Sequence, residues 1–184
     1  MAQQKAFVFK TWGGARKRAG RKPHGKKAGV SHLERPVLKK RFPVHVTWRM
    51  RRDVWNLRAQ RCLGVLKRAF LAGSKESFHV VHYSVMGNHI HLLVEATDRR
   101  ALSLGMQGLG IRIAKALQKV MGRLGHVLKE RYHAHILKTP IEVKRARLYL
   151  LNNARHHFGL TIPDYCSSQT PVLPPRTYLL RMAC

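Results

Sequence analysis

Residues 78 to 95, FHVVHYSVMGNHIHLLVE, constrain the fold more than any other stretch. Phe78 to Val85 and His89 to Glu95 are rich in β-branched, aromatic and leucine residues, and Gly87-Asn88 between them is a turn signal, so the stretch reads as a β-hairpin turning at Met86-Gly87-Asn88. Side chains alternate along a strand, which places His89, His91, Leu93 and Glu95 on one face and Ile90, Leu92 and Val94 on the other. The apolar set buries the strand from behind, so the two imidazoles stand side by side on a stiff support and can share one ion.

An H-x-H pair alone is a weak signal, because histidines also fill half-buried strands and this chain has 12 of them. A second feature lies downstream. Residues 141 to 157, IEVKRARLYLLNNARHH, read as a helix that puts Tyr149 and Asn153 at i, i+4 on the same face, so a nucleophile and a ligand would point together.

Charge decides the class of partner. The chain of 184 residues is long enough for one domain with its own core, and it carries 36 Lys and Arg against 8 Asp and Glu, a net +28. That excess opposes compaction and favours a polyanion, nucleic acid ahead of an acidic membrane. Cys62, Cys166 and Cys184 are widely spaced and form no C-x-x-C, so neither a disulfide framework nor a thiolate zinc site is indicated, and the compartment reads as reducing. The opening MAQQKAFVFK lacks the apolar run of a secretory leader, and no apolar stretch approaches a membrane span. The expectation is a soluble, cytoplasmic, nucleoid-associated bacterial protein with no membrane partner.

Residues 1 to 41 carry many Gly, Lys and Arg but no apolar periodicity, and read as a disordered basic arm. Arg16, Lys17, Arg18, Arg21 and Lys22 form its densest part and are candidate phosphate contacts; a sharper alternative has Arg21 and its neighbours entering an A·T-rich minor groove. From Pro43 to Met50, Val44, Val46, Trp48 and Met50 alternate with His45, Thr47 and Arg49, a strand with a polar face. A helix is expected from Arg51 to about Leu71. Another, from Ala101 to Gly125, has the best helical periodicity in the chain, though Gly105, Gly108 and Gly110 call for either a close backbone approach or a frayed start. Arg131 to Lys138 is a last strand, and Thr139-Pro140 opens the tyrosine-bearing helix, whose Lys144, Arg145 and Arg147 are further candidate DNA contacts.

The order strand, helix, strand, strand, helix, strand, helix predicts an α+β fold: a ferredoxin-like antiparallel sheet with helices on one face and the tyrosine-bearing C-terminal helix free to use the other. The expected divisions are residues 1–41 as arm, 42–160 as the domain and 161–184 as a Pro-containing C-terminal tail.

Taken together, Val44-His45-Val46-Thr47, the Gly87-to-Glu95 core, Arg131-Tyr132-His133-Ala134-His135 and Tyr149-Leu150-Leu151-Asn152-Asn153 resemble the single-tyrosine HUH transposases, specifically the REP-associated tyrosine transposases. The Gly-Gly-x-Arg-x-x-Ala-Gly-Arg arm is similar to the leader of that group. The resemblance implies that His89 and His91 are metal ligands, Asn153 the third ligand and Tyr149 the nucleophile. It also implies a 5′-phosphotyrosine intermediate and a free 3′-OH on single-stranded or hairpin DNA, including repeat-derived DNA, in a monomer or a homodimer. Many relatives have Asn-Pro where this chain has Asn153-Ala154, so the helix here is free to run on to His157, and the likeness fades after Ser168.

Two imidazoles and an amide oxygen with open positions suit Mg²⁺ or Mn²⁺, which can stabilise charge on a scissile phosphate. Competing assignments stay open from spacing alone. His133 and His135 form a second H-x-H, His156 and His157 sit at a helix C-terminus, and Glu95 either orients an imidazole or pairs with an arginine. Arg58, Arg61, Lys67 and Arg68, and likewise Arg112, Lys115 and Lys119, read as solvated helix faces. The alternative functions are a non-catalytic nucleic-acid-binding module with a ferredoxin-like fold, which needs paired aromatics on the open sheet face, and a zinc hydrolase using four histidines.

Overall fold

A computed structural model describes residues 34–159 and 164–183, with only the backbone of His156 and Phe158. The expected basic arm, with Arg16, Lys17, Arg18, Arg21 and Lys22, lies outside the described residues as far as residue 33. Four strands, β1 (Val44–Arg49), β2 (Phe78–Val85), β3 (His89–Ala96) and β4 (His133–Ile136), and four helices, α1 (Gln60–Ala72), α2 (Arg99–Met121), α3 (Pro140–Phe158) and α4 (Tyr178–Ala183), follow in the order β1-α1-β2-β3-α2-β4-α3-α4. The strands form one antiparallel sheet in the order β2-β3-β1-β4, the ferredoxin-like arrangement with β1 and β3 in the centre.

Strand alternation divides the core. Val44, Val46, Trp48, Ile90, Leu92 and Val94 face α1 and α2, where they meet Leu66, Phe70, Leu109, Ile113 and Leu117 in the main cluster. On the opposite face Leu93 packs with Val143, Ala146 and Leu150 of α3 and Leu180 of α4. A bulge between Val80 and His82 interrupts the alternation of β2, setting His82 opposite Leu93 while Val81 joins the α3 cluster.

The glycines of α2 resolve in favour of close approach. A Cβ on Gly105 would lie 2.1 Å from Cγ of Phe78, and one on Gly110 would lie 2.5 Å from the Trp48 ring, so two glycines let the helix settle onto the sheet. Gly108 meets nothing nearer than the Arg112 guanidinium at 3.4 Å. The start is not frayed, since Asp98 caps α2 by accepting from the Ala101 N–H.

Three elements differ from expectation, one being α4, a fourth helix within the segment expected to be only a Pro-containing tail. Helix α1 begins at Gln60 rather than Arg51, because the backbone N–H groups of the preceding segment are used elsewhere: Arg51 donates to the Val127 carbonyl and Leu57 to the Gly87 carbonyl. Arg58 is therefore not on a solvated helix face. Its guanidinium grips Asp164 through two bonds, of 2.7 and 3.0 Å, with side-chain exposures of 11% and 2%. Strand β4 is cut to four residues, bounded by Tyr132 packing edge-on against Trp48 and by Lys138, whose N–H donates to the Glu142 carboxylate.

Residues 164–172 run along the outer edge of β2. Val85 donates to the Cys166 carbonyl, Ser168 to the Tyr83 carbonyl and Val172 to the Val81 carbonyl, which covers an otherwise open sheet edge. Cys62 and Cys166 are buried free thiols. Among the described residues no helix is long and apolar enough to cross a membrane.

Candidate active site

Strand β3 presents His89 and His91 on the α3 side of the sheet, with ring centroids 4.9 Å apart. The turn beneath them is braced from outside the hairpin, because Asn88 O accepts from Met50 N and Gly87 O from Leu57 N. Each imidazole has its Nδ1 engaged. The Asn88 side-chain oxygen lies 2.8 Å from His89 Nδ1 and can only accept, so that nitrogen carries the proton and Nε2 keeps its lone pair. His91 Nδ1 lies 3.1 Å from Thr47 Oγ1 and 3.3 Å from His45 Nε2. Its Nε2 is buried and has no partner among the described residues.

Helix α3 starts where the Thr139 hydroxyl accepts from the Glu142 N–H, and it ends at Gly159 in the left-handed conformation. With Ala154 inside the helix and buried, α3 runs past His157 to Phe158. Tyr149, Asn153 and His157 lie at successive i, i+4 positions along it. Tyr149 is 41% exposed, and its ring stands edge-on to His91, with centroids 5.2 Å apart, and to His45 at 6.0 Å. Asn153 is fully buried, and neither its oxygen nor its nitrogen has a hydrogen-bond partner among the described residues. His157 lines a cleft with His89, Asn88, Gly87, Met86, Asn56 and Val54.

Electrostatics keep the imidazoles neutral. Burial lowers the pKa of His91 to about 3, with His45, His89, His157 and Arg49 adding to the effect. Burial likewise lowers His45 to about 4, helped by His135 and His133. His89 is lowered by burial, Arg49 and His157. Neutral imidazole is the form that ligates a metal.

His45 and Thr47 are the contributors that the H-x-H pattern overlooks. Their signal was the polar face of β1, and register completes it, since Thr47 pairs with His91 and His45 with Leu93. His133 and His135 are exposed on β4, beside Thr47 and His45 and one strand further from His91. Glu95 does orient an imidazole, that of His79 at 2.8 Å, far along the strand from His89. Lys144 and Arg145 are exposed on α3, and Arg147 is half-buried.

No family model matches the chain, and no curated protein matches it. Among solved structures, a REP-associated tyrosine transposase bound to a REP hairpin superposes with a TM-score of 0.57 at 16% identity, covering 71% of this chain and 76% of the other. This chain has that transposase's fold. A candidate transposase of Deinococcus radiodurans R1 is also similar, with a TM-score of 0.45 at 16% identity over 66% of this chain and 94% of its own.

Strand β3 and helix α3 each bring buried polar groups of the kind that can ligate an ion, the His91 imidazole on β3 and the Asn153 amide on α3. Among the described residues no three His, Cys, Asp or Glu side chains are arranged to hold a metal. The Asn153 oxygen and His91 Nε2 have no hydrogen-bond partner among the described residues. Buried polar atoms left without partners are uncommon and call for a reason.

Proposed function

We propose that this chain is a transposase-like nuclease that cleaves and rejoins single-stranded or hairpin DNA by transesterification through Tyr149. The observation that carries the reading is a pair of buried groups without partners among the described residues, His91 Nε2 and the Asn153 amide, on the elements that carry an accessible tyrosine. In the proposed reaction the Tyr149 hydroxyl oxygen bonds to phosphorus as the P–O3′ bond breaks. The phenolic proton is released and the departing 3′ oxygen takes up a proton, leaving a 5′-phosphotyrosine and a free 3′-OH. Because one phosphodiester replaces another, the reverse attack can rejoin the strand without ATP. An Mg²⁺ or Mn²⁺ ion held by His89, His91 and Asn153 would supply Lewis-acid stabilisation of charge on the phosphate.

The chain's own groups account for the rest. Thr47 and His45 hold the His91 ring through Nδ1, Asn88 holds that of His89, and both rings present Nε2. A phenol has a reference pKa of about 10, so Tyr149 begins protonated and attack requires its proton to leave. Lys144, Arg145 and Arg147 are proposed phosphate contacts, joined by the basic residues of the arm, within a division of arm, catalytic domain 42–160 and C-terminal segment. The non-catalytic platform is disfavoured because α3 and α4 cover the second sheet face, where that reading needs exposed aromatics.

The test is incubation of the protein with end-labelled hairpin DNA and Mg²⁺ or Mn²⁺, resolved on denaturing gels. A covalent adduct mapping to Tyr149 and lost with EDTA is expected. Cleavage without an adduct would replace the transesterase with a hydrolase.

A further inference from the structure

On the face of the sheet away from Tyr149, helices α1 and α2 leave a groove of about 770 Å³ between them. Arg68 lines its α1 side, and Arg112, Lys115 and Lys119 line its α2 side, all four exposed. Neither helix contains an Asp or Glu. Among the described residues none of the four pairs with a carboxylate, and the Arg112 guanidinium turns back to its own helix, donating to the Gly108 carbonyl at 3.3 Å. Solvated helix faces usually mix the two signs at i, i+3 and i, i+4, where like charges repel. Here Arg112 and Lys115 are three positions apart and Lys115 and Lys119 four apart, so the chain holds a row of cations about 10 Å long. An anion laid along that row would relieve the repulsion.

The groove's own features choose among anions. The chain cannot supply one itself, because residues 1 to 33 contain no Asp or Glu and a second copy brings the same net +28. The apolar lining is valine and alanine, Val65 and Ala116 among them. It offers no bulky side chain to enter a lipid layer and no aromatic ring on which an unpaired base could stack. Single strands are held largely by such rings, whereas a duplex turns its bases inward and presents its backbone. Duplex DNA carries one negative charge per 1.7 Å or so of axis, so a row of this length faces roughly six phosphates.

We propose that the α1–α2 groove binds the sugar-phosphate backbone of duplex DNA without regard to sequence, through Arg68, Arg112, Lys115 and Lys119. The proposal rests on the reading that the chain acts on DNA. The sheet separates this face from Tyr149, so the groove supplies affinity and placement and touches none of the reacting atoms. Side chains that spacing alone assigns to a solvated surface thereby become phosphate contacts.

The test footprints the amines of the full chain, in EDTA so that cleavage plays no part. The chain is briefly acetylated with and without a linear duplex of arbitrary sequence, and each lysine is read by mass spectrometry. Lys115 and Lys119 should lose most of their reactivity with the duplex, and keep most of it with oligo(dT) or polyglutamate at the same charge concentration. Full reactivity with the duplex overturns the proposal. Protection by oligo(dT) equal to that by duplex overturns the duplex as occupant, and equal protection by polyglutamate overturns DNA. A second measurement uses the triple variant Arg112→Gln, Lys115→Gln and Lys119→Gln, whose exposed positions leave the core untouched. Its slope of log duplex affinity against log salt should be shallower by about 2.7, at roughly 0.9 per phosphate contact, and an unchanged slope overturns the contacts. Protection of Lys115 and Lys119 in a chain that never forms an adduct with hairpin DNA would sink the transesterase reading and leave the groove standing. An adduct without that protection would do the reverse.

Discussion

Tyr149 stands perpendicular to His91, with ring centroids 5.2 Å apart and planes at 90°, although 58 positions separate them in the chain. The contact joins α3 to the centre of the sheet and brings an exposed phenol next to an imidazole whose Nε2 has no partner among the described residues. In the proposed function this contact links the nucleophile to the metal site.

Tyr149→Phe keeps the ring and removes one partly exposed hydroxyl, so stability should change by no more than about 0.5 kcal/mol. DNA binding and Mn²⁺ binding should persist, while cleavage and adduct both vanish. Gel assays and thermal melts report these separately, and product from the Phe variant would mean that water, not this tyrosine, attacks phosphorus.

Asn153→Leu gives a result of opposite sign in two measurements. A buried amide without partners costs about 1–3 kcal/mol, so in metal-free buffer the Leu variant should melt at least as high as the unsubstituted chain. The gain in melting temperature produced by Mn²⁺ should shrink or disappear. For Asn153→Ala, excess Mn²⁺ should restore part of the cleavage. A metal response unchanged in both variants would remove Asn153 from the site.

Stability of the metal-free chain should fall with acid earlier than carboxylates alone dictate. Burial holds His82 and His45 at about 4 and His91 at about 3, against 6.5 for an ordinary histidine. Between about pH 6.5 and 4 the unfolded chain therefore binds protons that the folded chain does not, so stability is full above that window and drops as pH decreases through it. Urea denaturation at several pH values measures the slope, and His82→Gln should reduce it by close to one proton. An identical slope in that variant would show that His82 titrates normally in the folded chain.

The Arg58–Asp164 pair clamps the segment that covers the β2 edge. Arg58→Ala leaves the nearly inaccessible Asp164 carboxylate without its main partner, at a cost of about 3 kcal/mol, and should open residues 164–172 to limited proteolysis before the domain unfolds. Asp164→Ala added to it should cost little more, because the pair acts as a unit. Additive losses would place the clamp elsewhere.

Gly105→Ala and Gly108→Ala should separate by sign. Alanine gains about 1 kcal/mol of helix propensity at either position. At Gly105 its methyl meets the Phe78 ring at 2.1 Å and the variant should be destabilised, whereas at Gly108 it meets only a guanidinium that can swing away, and the variant should be neutral or more stable. Thermal melts of the two single variants decide.

The sequence by itself determined what local periodicity can carry. Alternation over residues 78 to 95 gave the hairpin and the shared face of His89 and His91, and a 3.6-residue repeat set Tyr149 and Asn153 on one side of a helix. Element order then led to the sheet arrangement. Tertiary structure decided whatever depends on partners distant in the chain. Spacing says nothing about register, so the support of His91 by Thr47 and His45 came only with the β1–β3 pairing. The apolar positions of residues 51 to 59 mimic a helix, yet the Arg51 and Leu57 N–H groups serve the Val127 and Gly87 carbonyls. Gly105 and Gly110 look like weak points until Phe78 and Trp48 are seen against them. Residues 164–183 carry little periodic signal, because their order comes from hydrogen bonds to β2, from Arg58 and from the Glu95 carboxylate, not from a pattern of their own.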